Sequence, residues 1–376
     1  MLSIKNSRKI VLTGGGTAGH VMPNVALLPM LEKQFDEIHY IGSHTGIERD
    51  IISKFPHVKY HEVDTAKLRR SLNIKSMLSN AKTPIKVIRG VRQSKKILQQ
   101  IKPDVIFSKG GFVGYPVVRA GAKLNIRVII HESDMTMGLA NRMSVKYCDV
   151  ICTSFEKTAT ELAKKNKDKK VVWTGTPIRK EILQRDAAPI TDSLSLESFS
   201  TNKKNLLVMG GSLGASAINS AVRDTLGELC KEWNVLHITG KGKKVDLDNA
   251  SLDFSTSVEM TKCYIQVEFM DEIWHAMNWA DVIVSRAGSN ALCEILALGK
   301  PCVFVPLATG RGDQIDNAKE IERVGAGIVL QESELNNESL VQSIKIAYDK
   351  RNDLAVKSKE FVKLDADREI IKILGN

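Results

Sequence analysis

At 376 residues the chain is long enough for two domains, each with its own core. Its 43% hydrophobic and 26% charged residues exclude disordered, collagenous and coiled-coil classes. The formal net charge is +11, no apolar run approaches the roughly 18 residues of a spanning helix, and the N-terminus carries no signal-peptide core.

In chain order, the apolar run Lys9–Thr13 predicts a strand. It is followed by Gly14-Gly15-Gly16-Thr17-Ala18-Gly19-His20 and a helix to about Gln34, with Pro23 in the first turn and Pro29 expected to kink it. Ile38–Gly42 predicts the second strand. Between Thr65 and Lys102 stand eleven basic residues and no acidic one, equal to the whole net charge. Leu68, Leu72, Ile74, Met77, Leu78, Ile85 and Ile88 are interleaved with them. Such a basic, amphipathic stretch suits an anionic membrane surface, at about 1 kcal/mol per cation. Nucleic acid is the competing partner, but the segment holds no aromatic residue for base stacking, so no nucleic acid is expected. A solvated helix face is the third reading.

Within that stretch Thr83-Pro84 opens a helix whose inner positions are 87, 91, 94, 98 and 101, closed by Pro103. Asp104–Ser108 predicts a strand leading into Gly110-Gly111-Phe112-Val113-Gly114-Tyr115-Pro116. Arg127–His131, Val150–Thr153 and Lys170–Gly175 continue the series. Polar residues from Ile178 to Lys204 read as a linker, which gives a first domain of 1–175, a linker of 176–203 and a second domain of 204–355. There the pattern restarts with strands at Asn205–Gly211, Asn234–Gly240, Ile265–Met270, Asp281–Ser285, Cys302–Pro306 and Gly327–Leu330. Alternating strands and helices imply an α/β fold of two doubly wound parallel-sheet domains, with ligands at the carboxyl ends of the strands in the interdomain cleft. A final helix at about Val356–Leu374 is expected to pack back onto the first domain. Six cysteines, at 148, 152, 230, 263, 293 and 302, show no CxxC pair and no metal spacing, and are expected to be reduced thiols of a cytoplasmic protein.

Each glycine turn lies where a strand gives way to a helix, where free N–H groups favour an anion such as phosphate. Gly14, Gly16 and Gly19 match GxGxxG, the dinucleotide signature, which needs an acid at the tip of strand two. The tip reads Tyr40-Ile41-Gly42-Ser43, with neither acid nor arginine, so a dehydrogenase is set aside. The richest stretch starts at Asp281. A strand delivers Ser285-Arg286-Ala287-Gly288, and the helix starting at Ser289 offers first-turn N–H groups to a diphosphate. Glu294, one to two turns in, either accepts both hydroxyls of a ribose or is a solvated helix glutamate. Gly310-Arg311-Gly312-Asp313-Gln314 forms a polar loop able to reach a sugar ring. Asp246-Leu247-Asp248 has the form of a metal-binding DxD but lies in a Lys-rich loop and reads as surface.

The motifs GGTxGH (Gly15, Gly16, Thr17, Gly19, His20), GGFVGYP, HES…GLAN (His131–Asn141), GTPIR (Gly175–Arg179), GGSLGA and SRAG…E…DQ…NA occur in one order from residue 9 to about 330. In this the chain resembles the MurG family of peptidoglycan N-acetylglucosaminyltransferases, two-domain GT-B-type enzymes. The resemblance implies UDP-N-acetylglucosamine as donor and lipid I, undecaprenyl-diphospho-muramoyl pentapeptide, as acceptor, with inversion at the sugar and formation of lipid II. It implies that Met270 reads the uracil and Glu294 holds the ribose. Ser212 and the helix start Ser289, Asn290, Ala291, Leu292 and Cys293 would take the diphosphate, and Gln314 the sugar hydroxyls. Arg179 would sit near the nucleotide, and Thr17, Ala18, Gly19 and His20 would face the sugar. The acceptor diphosphate would lie on Gly15, Gly16, Gly110, Gly111 and Phe112.

His20 is then either the base for the attacking hydroxyl or a group that positions it. Neither a cofactor nor a metal is called for, since helix N-termini stabilise the leaving diphosphate. Three positions depart from the family. Asp134 stands where an asparagine commonly contacts the donor, and its charge argues against that contact. Ala18 replaces a glycine, which requires a negative φ there. Ala291 replaces a hydroxyl residue. The basic segment 65–102 acquires a purpose, peripheral docking on the cytoplasmic face of the bacterial cell membrane. Another GT-B transferase, or a non-hydrolysing UDP-sugar epimerase, shares the expected architecture.

Overall fold

The computed structural model describes residues 7–65, 83–183, 199–211, 214–245 and 263–375. The chain divides into two compact units, Met1–Arg179 with Leu364–Asn376, and Lys180–Lys363. Ser212, the Asp246–Asp248 stretch and residues 66–82 of the basic segment lie outside the described residues.

The first unit runs β1 (Lys9–Thr13), α1 (Met22–Leu31), β2 (Glu37–Ser43), α2 (Ile47–Ile52), β3 (Val58–Val63), α3 (Thr83–Ile101), β4 (Val105–Ser108), α4 (Gly111–Ala122), β5 (Arg127–Glu132), α5 (Leu139–Ser144), β6 (Val150–Thr153), α6 (Glu156–Lys165) and β7 (Lys170–Trp173). Among the described residues its strands form one parallel sheet in the order β3-β2-β1-β4-β5-β6-β7. Strands such as VICT and VIFS are buried throughout because helices cover both faces. Ile10 and Leu12 of β1 join a cluster with Leu27, Leu28 and Leu31 of α1. Val11, between them, faces the opposite cluster with Val91 and Leu98 of α3 and Val117 of α4. The edge strand β3 was not expected from the sequence. It reads VKYHEV, and polar residues are tolerated there because its middle is only partly buried.

The second unit continues with α7 (Lys180–Leu183), β8 (Lys204–Met209), α8 (Ser216–Asp224), α9 (Leu226–Glu232), β9 (Trp233–Ile238), β10 (Tyr264–Val267), α10 (Ile273–Trp279), β11 (Val282–Ser285), α11 (Ser289–Leu298), β12 (Cys302–Phe304), α12 (Asp313–Val324), β13 (Ile328–Val329), α13 (Asn337–Asp349) and α14 (Arg351–Phe361). Its described strands are parallel in the order β10-β9-β8-β11-β12-β13. Both sheets therefore reverse direction beside their first strand, the topological position at which doubly wound folds bind ligands.

Two expectations need correction. The single C-terminal helix is two. Extended backbone at Val362 ends α14, which packs on α11, whereas α15 (Ala366–Gly375) packs on α1. The continuous apolar periodicity hid the break because both helices bury a stripe, Leu354 in the second unit's core and Ile370, Ile373 and Leu374 in the first's. Nor are all six cysteines reduced. Cys230, on α9, and Cys263, just before β10, form a disulfide with a Cα–Cα distance of 5.7 Å. A sequence separation of 33 conceals a pairing made by adjacent elements of one core cluster. Cys148, Cys152, Cys293 and Cys302 are free and buried.

Candidate functional site

The first unit's site is built on two glycine turns at the carboxyl ends of neighbouring strands β1 and β4. Gly16 has φ +88°, Gly110 +83° and Gly111 +72°, values open to glycine and strained for other residues. The turns touch backbone to backbone. A Cβ on Gly111 would lie 2.2 Å from the Gly15 carbonyl, and one on Gly16 would lie 2.3 Å from the Phe112 ring. The structure thus brings Gly15, Gly16, Gly110, Gly111 and Phe112 into one platform. Gly110 is the N-cap of α4, and no side chain caps that helix start.

Thr17, Ala18, Gly19 and His20 follow as a tight turn, with Ala18–His20 in 3₁₀ geometry. Among the described residues only Lys102 and Asn125 are non-glycines at positive φ, so the alanine at 18 sits without strain. The Thr17 hydroxyl is 2.9 Å from His20 Nδ1. If Nδ1 carries the proton and donates to Thr17, the basic lone pair is on Nε2; the opposite tautomer places it on Nδ1.

Buried side chains brace this platform from beneath. The Tyr40 hydroxyl donates to the Gly14 carbonyl at 2.5 Å, and the Asn24 amide donates to the Thr13 carbonyl at 3.3 Å. Glu48 accepts the Gly16 N–H at 3.1 Å. On the second turn the Asn141 side chain fills the space where a Gly110 Cβ would go. Asn141 donates to the His131 carbonyl at 3.0 Å and to Glu132 at 2.9 Å. Glu132 also accepts the N–H groups of Ser133, Asp134 and Gly138, at 2.9, 3.0 and 3.0 Å. That carboxylate closes its own loop, and the Asp134 N–H is committed to it.

Behind the second turn, buried Lys109 places Nζ 2.6 Å from His131 Nδ1, while Nε2 lies 2.9 Å from the Gly175 carbonyl. Burial first, and the Lys109 charge second, hold the His131 imidazole well below its ordinary range. Neutral His131 therefore accepts from the ammonium and donates to Gly175. Sequence reasoning passed over Tyr40 in the middle of β2, Glu48 in the short helix α2 and Lys109 just after β4, because nothing local marks them.

In the second unit, β8 and β11 pair in parallel with Met209 opposite Ser285, so the turns that follow them lie side by side. Ser289 is buried at the start of α11, whose N-cap Gly288 lacks a side-chain cap. Leu292 and Cys293 bury their side chains in the core, which leaves only their backbone for a ligand, whereas Asn290, Ala291 and Glu294 are partly exposed. Arg286 donates to the Val305 carbonyl at 3.1 Å and pairs with Glu332. Asn317 donates to the Ala287 carbonyl at 3.0 Å, tying α12 to the turn. Gln314 accepts the Leu307 N–H at 3.0 Å, which fixes the 307–314 loop. Met270 is partly buried beside strongly exposed Phe269, after β10. Arg179, partly buried, is the last residue of the first unit before the chain crosses over. Among the described residues no group of three or more His, Cys, Asp or Glu side chains could hold a metal ion, and no helix is long and apolar enough to cross a membrane.

Comparison with known proteins gives one family. Residues 10–153 match the glycosyltransferase family 28 N-terminal domain, and residues 205–374 its C-terminal domain. A relative from Lachnoclostridium phytofermentans is 44% identical over 98% of both chains, and one from Clostridium novyi is 45% identical over 89% of both. Each is named a UDP-N-acetylglucosamine–N-acetylmuramyl-(pentapeptide) pyrophosphoryl-undecaprenol N-acetylglucosamine transferase. The crystal structure of Acinetobacter baumannii MurG has the same fold, with a TM-score of 0.71 at 23% identity over 98% of this chain and 99% of that one.

Proposed function

We infer the activity from the family, for the chain belongs to the UDP-N-acetylglucosamine–N-acetylmuramyl-(pentapeptide) pyrophosphoryl-undecaprenol N-acetylglucosamine transferases of glycosyltransferase family 28. It is an N-acetylglucosaminyltransferase of peptidoglycan synthesis. It moves the sugar from its UDP carrier to the 4-hydroxyl of N-acetylmuramate in lipid I, giving lipid II and UDP. The observation that carries this reading is the 44% identity over 98% of both chains.

The residue roles are those that the family resemblance implies. The second unit takes the donor. The uncapped start of α11, at Ser289–Ala291 with the backbone of Leu292 and Cys293, faces the diphosphate, where its N–H groups and dipole stabilise the charge that gathers as UDP leaves. Ser212 assists. Glu294 accepts the ribose hydroxyls, the Met270 backbone reads the uracil, Gln314 contacts the sugar and Arg179 the nucleotide. The first unit takes the acceptor and supplies the base. With Nδ1–H donated to Thr17, His20 presents Nε2 to the attacking hydroxyl, and an imidazole is suited to take that proton near neutral pH.

Docking on the membrane is the role of residues 65–102. In the described part, Ile85 is 62% and Ile88 47% exposed on the outer face of α3. Exposed Lys86, Arg89, Arg92, Lys95 and Lys96 surround them, while Val91, Ser94, Leu98 and Ile101 face the core. Exposed isoleucines among cations fit the interface of an anionic leaflet, here its cytoplasmic face, better than a nucleic-acid backbone. The experiment is product analysis. Incubation with labelled UDP-N-acetylglucosamine and a lipid I analogue should yield labelled N-acetylglucosaminyl-muramoyl disaccharide. Epimerised UDP-sugar formed without acceptor would assign the epimerase activity instead.

A further inference from the structure

Glu48 is fully buried inside the turn that the transferase reading gives to phosphate. One carboxylate oxygen accepts the Gly16 N–H at 3.1 Å. The other accepts both the N–H and the hydroxyl of Ser43, at 3.1 and 2.5 Å. Glycines clear the space it fills. A Cβ on Gly15 would stand 2.6 Å from the Glu48 carboxyl carbon, and one on Gly46 would stand 2.2 Å from its oxygen. The chain has therefore built a socket for a carboxylate, joining the tip of β2 to the first glycine turn.

A carboxylate in that socket and a diphosphate on the same backbone exclude each other. Both are anions, and both need the Gly16 N–H as donor. The far side of the turn is committed as well, since the Gly14 carbonyl accepts from Tyr40. At the second turn the Gly110 N–H donates to a neutral acceptor, the Ser108 hydroxyl, at 3.2 Å, and no side chain caps the start of α4.

We propose that Glu48 is a positioning residue. It occupies the anion-accepting side of the first turn and sets the backbone that presents Thr17 and His20, so the acceptor diphosphate is held by the second turn, Gly110–Phe112, alone. This rests on the transferase reading and narrows it, since that reading spreads the diphosphate over both turns. A glutamine at 48 must point an amide NH₂ at the Gly16 or the Ser43 N–H, which unseats the turn while leaving α4 intact.

The test is steady-state kinetics of the full chain at saturating UDP-N-acetylglucosamine with a lipid I analogue varied, in the wild type, Glu48→Gln and Ser43→Ala, with UDP binding as the fold control. Glu48→Gln should lower kcat about tenfold or more through misplacement of the turn, and leave the acceptor KM within about twofold. Ser43→Ala keeps the Gly16 bond and should show the same pattern at roughly two- to fivefold. A rise in acceptor KM of about fivefold or more, or no change in either constant, overturns the inference. If Glu48→Gln fails to fold, Ser43→Ala decides by the same split. A wild type that binds UDP yet transfers nothing to the analogue would instead remove the transferase reading, and the inference with it.

Discussion

In the first unit, Gly14, Gly15, Gly16, Gly110 and Gly111 are hemmed in, each with a neighbouring atom within 2.7 Å of where a Cβ would stand. In the second unit Gly210 and Gly214 are equally crowded, but Gly211, Gly288, Gly310 and Gly312 have no described atom within 4 Å of that point. The first set is glycine because the protein packs against itself there. Of the second set, Gly288 is the informative member. Its φ of −69° suits any residue and its surroundings are open, so the protein itself does not require a glycine. What the missing side chain leaves free is the approach to the first N–H groups of α11. Packed turns fix their own backbone in place, whereas the open turn at Gly288 leaves room for a ligand at the glycine itself.

Substitutions can break that contrast. Gly111→Ala should have the largest effect, because a strained φ and a Cβ 2.2 Å from the Gly15 carbonyl act together. A loss of about 3 kcal/mol in denaturant unfolding, with transfer abolished, is expected. Thr17→Val removes the hydroxyl that orients the His20 ring. It should lower kcat about tenfold or more with UDP binding intact, and Thr17→Ser should restore most of the rate. Full activity in Thr17→Val would show that the pair has no part in the chemistry.

Gly288→Ala is the mirror image of Gly111→Ala. Stability should stay within about 0.5 kcal/mol, while the KM for UDP-N-acetylglucosamine rises roughly tenfold as the methyl group stands before the helix terminus. A destabilised but kinetically normal protein would reverse the distinction between the two kinds of turn. The smallest steps belong to α3. Lys95→Glu and Lys96→Glu should each weaken binding to anionic vesicles at least about fivefold, an effect that fades with added salt. Binding that ignores both charge and salt would remove the docking role of this helix.

Most of the framework was readable because strands buried on both faces are continuous apolar runs, and β1, β4, β8 and β11 lead into glycine turns. Among the described strands the one missed, β3, lies at the sheet's edge, where burial no longer enforces the pattern. The glycine turns themselves were visible, but not the reason for their glycines, because that reason lies in contacts across the fold. Glu48 looks like an ordinary helix glutamate until β2 and the first turn close around it. The tip of β2 carries no acid of its own, and the carboxylate that Ser43 binds stands five residues further along the chain. In the second unit Leu292 and Cys293 followed from the motif, but only the fold shows their side chains turned into the core.

The most direct test of the account is UDP release from UDP-N-acetylglucosamine by the intact chain, measured with and without a lipid I analogue. The account predicts release that depends on the analogue and matches disaccharide formed. Release without the analogue, or none with it despite UDP binding, would contradict it.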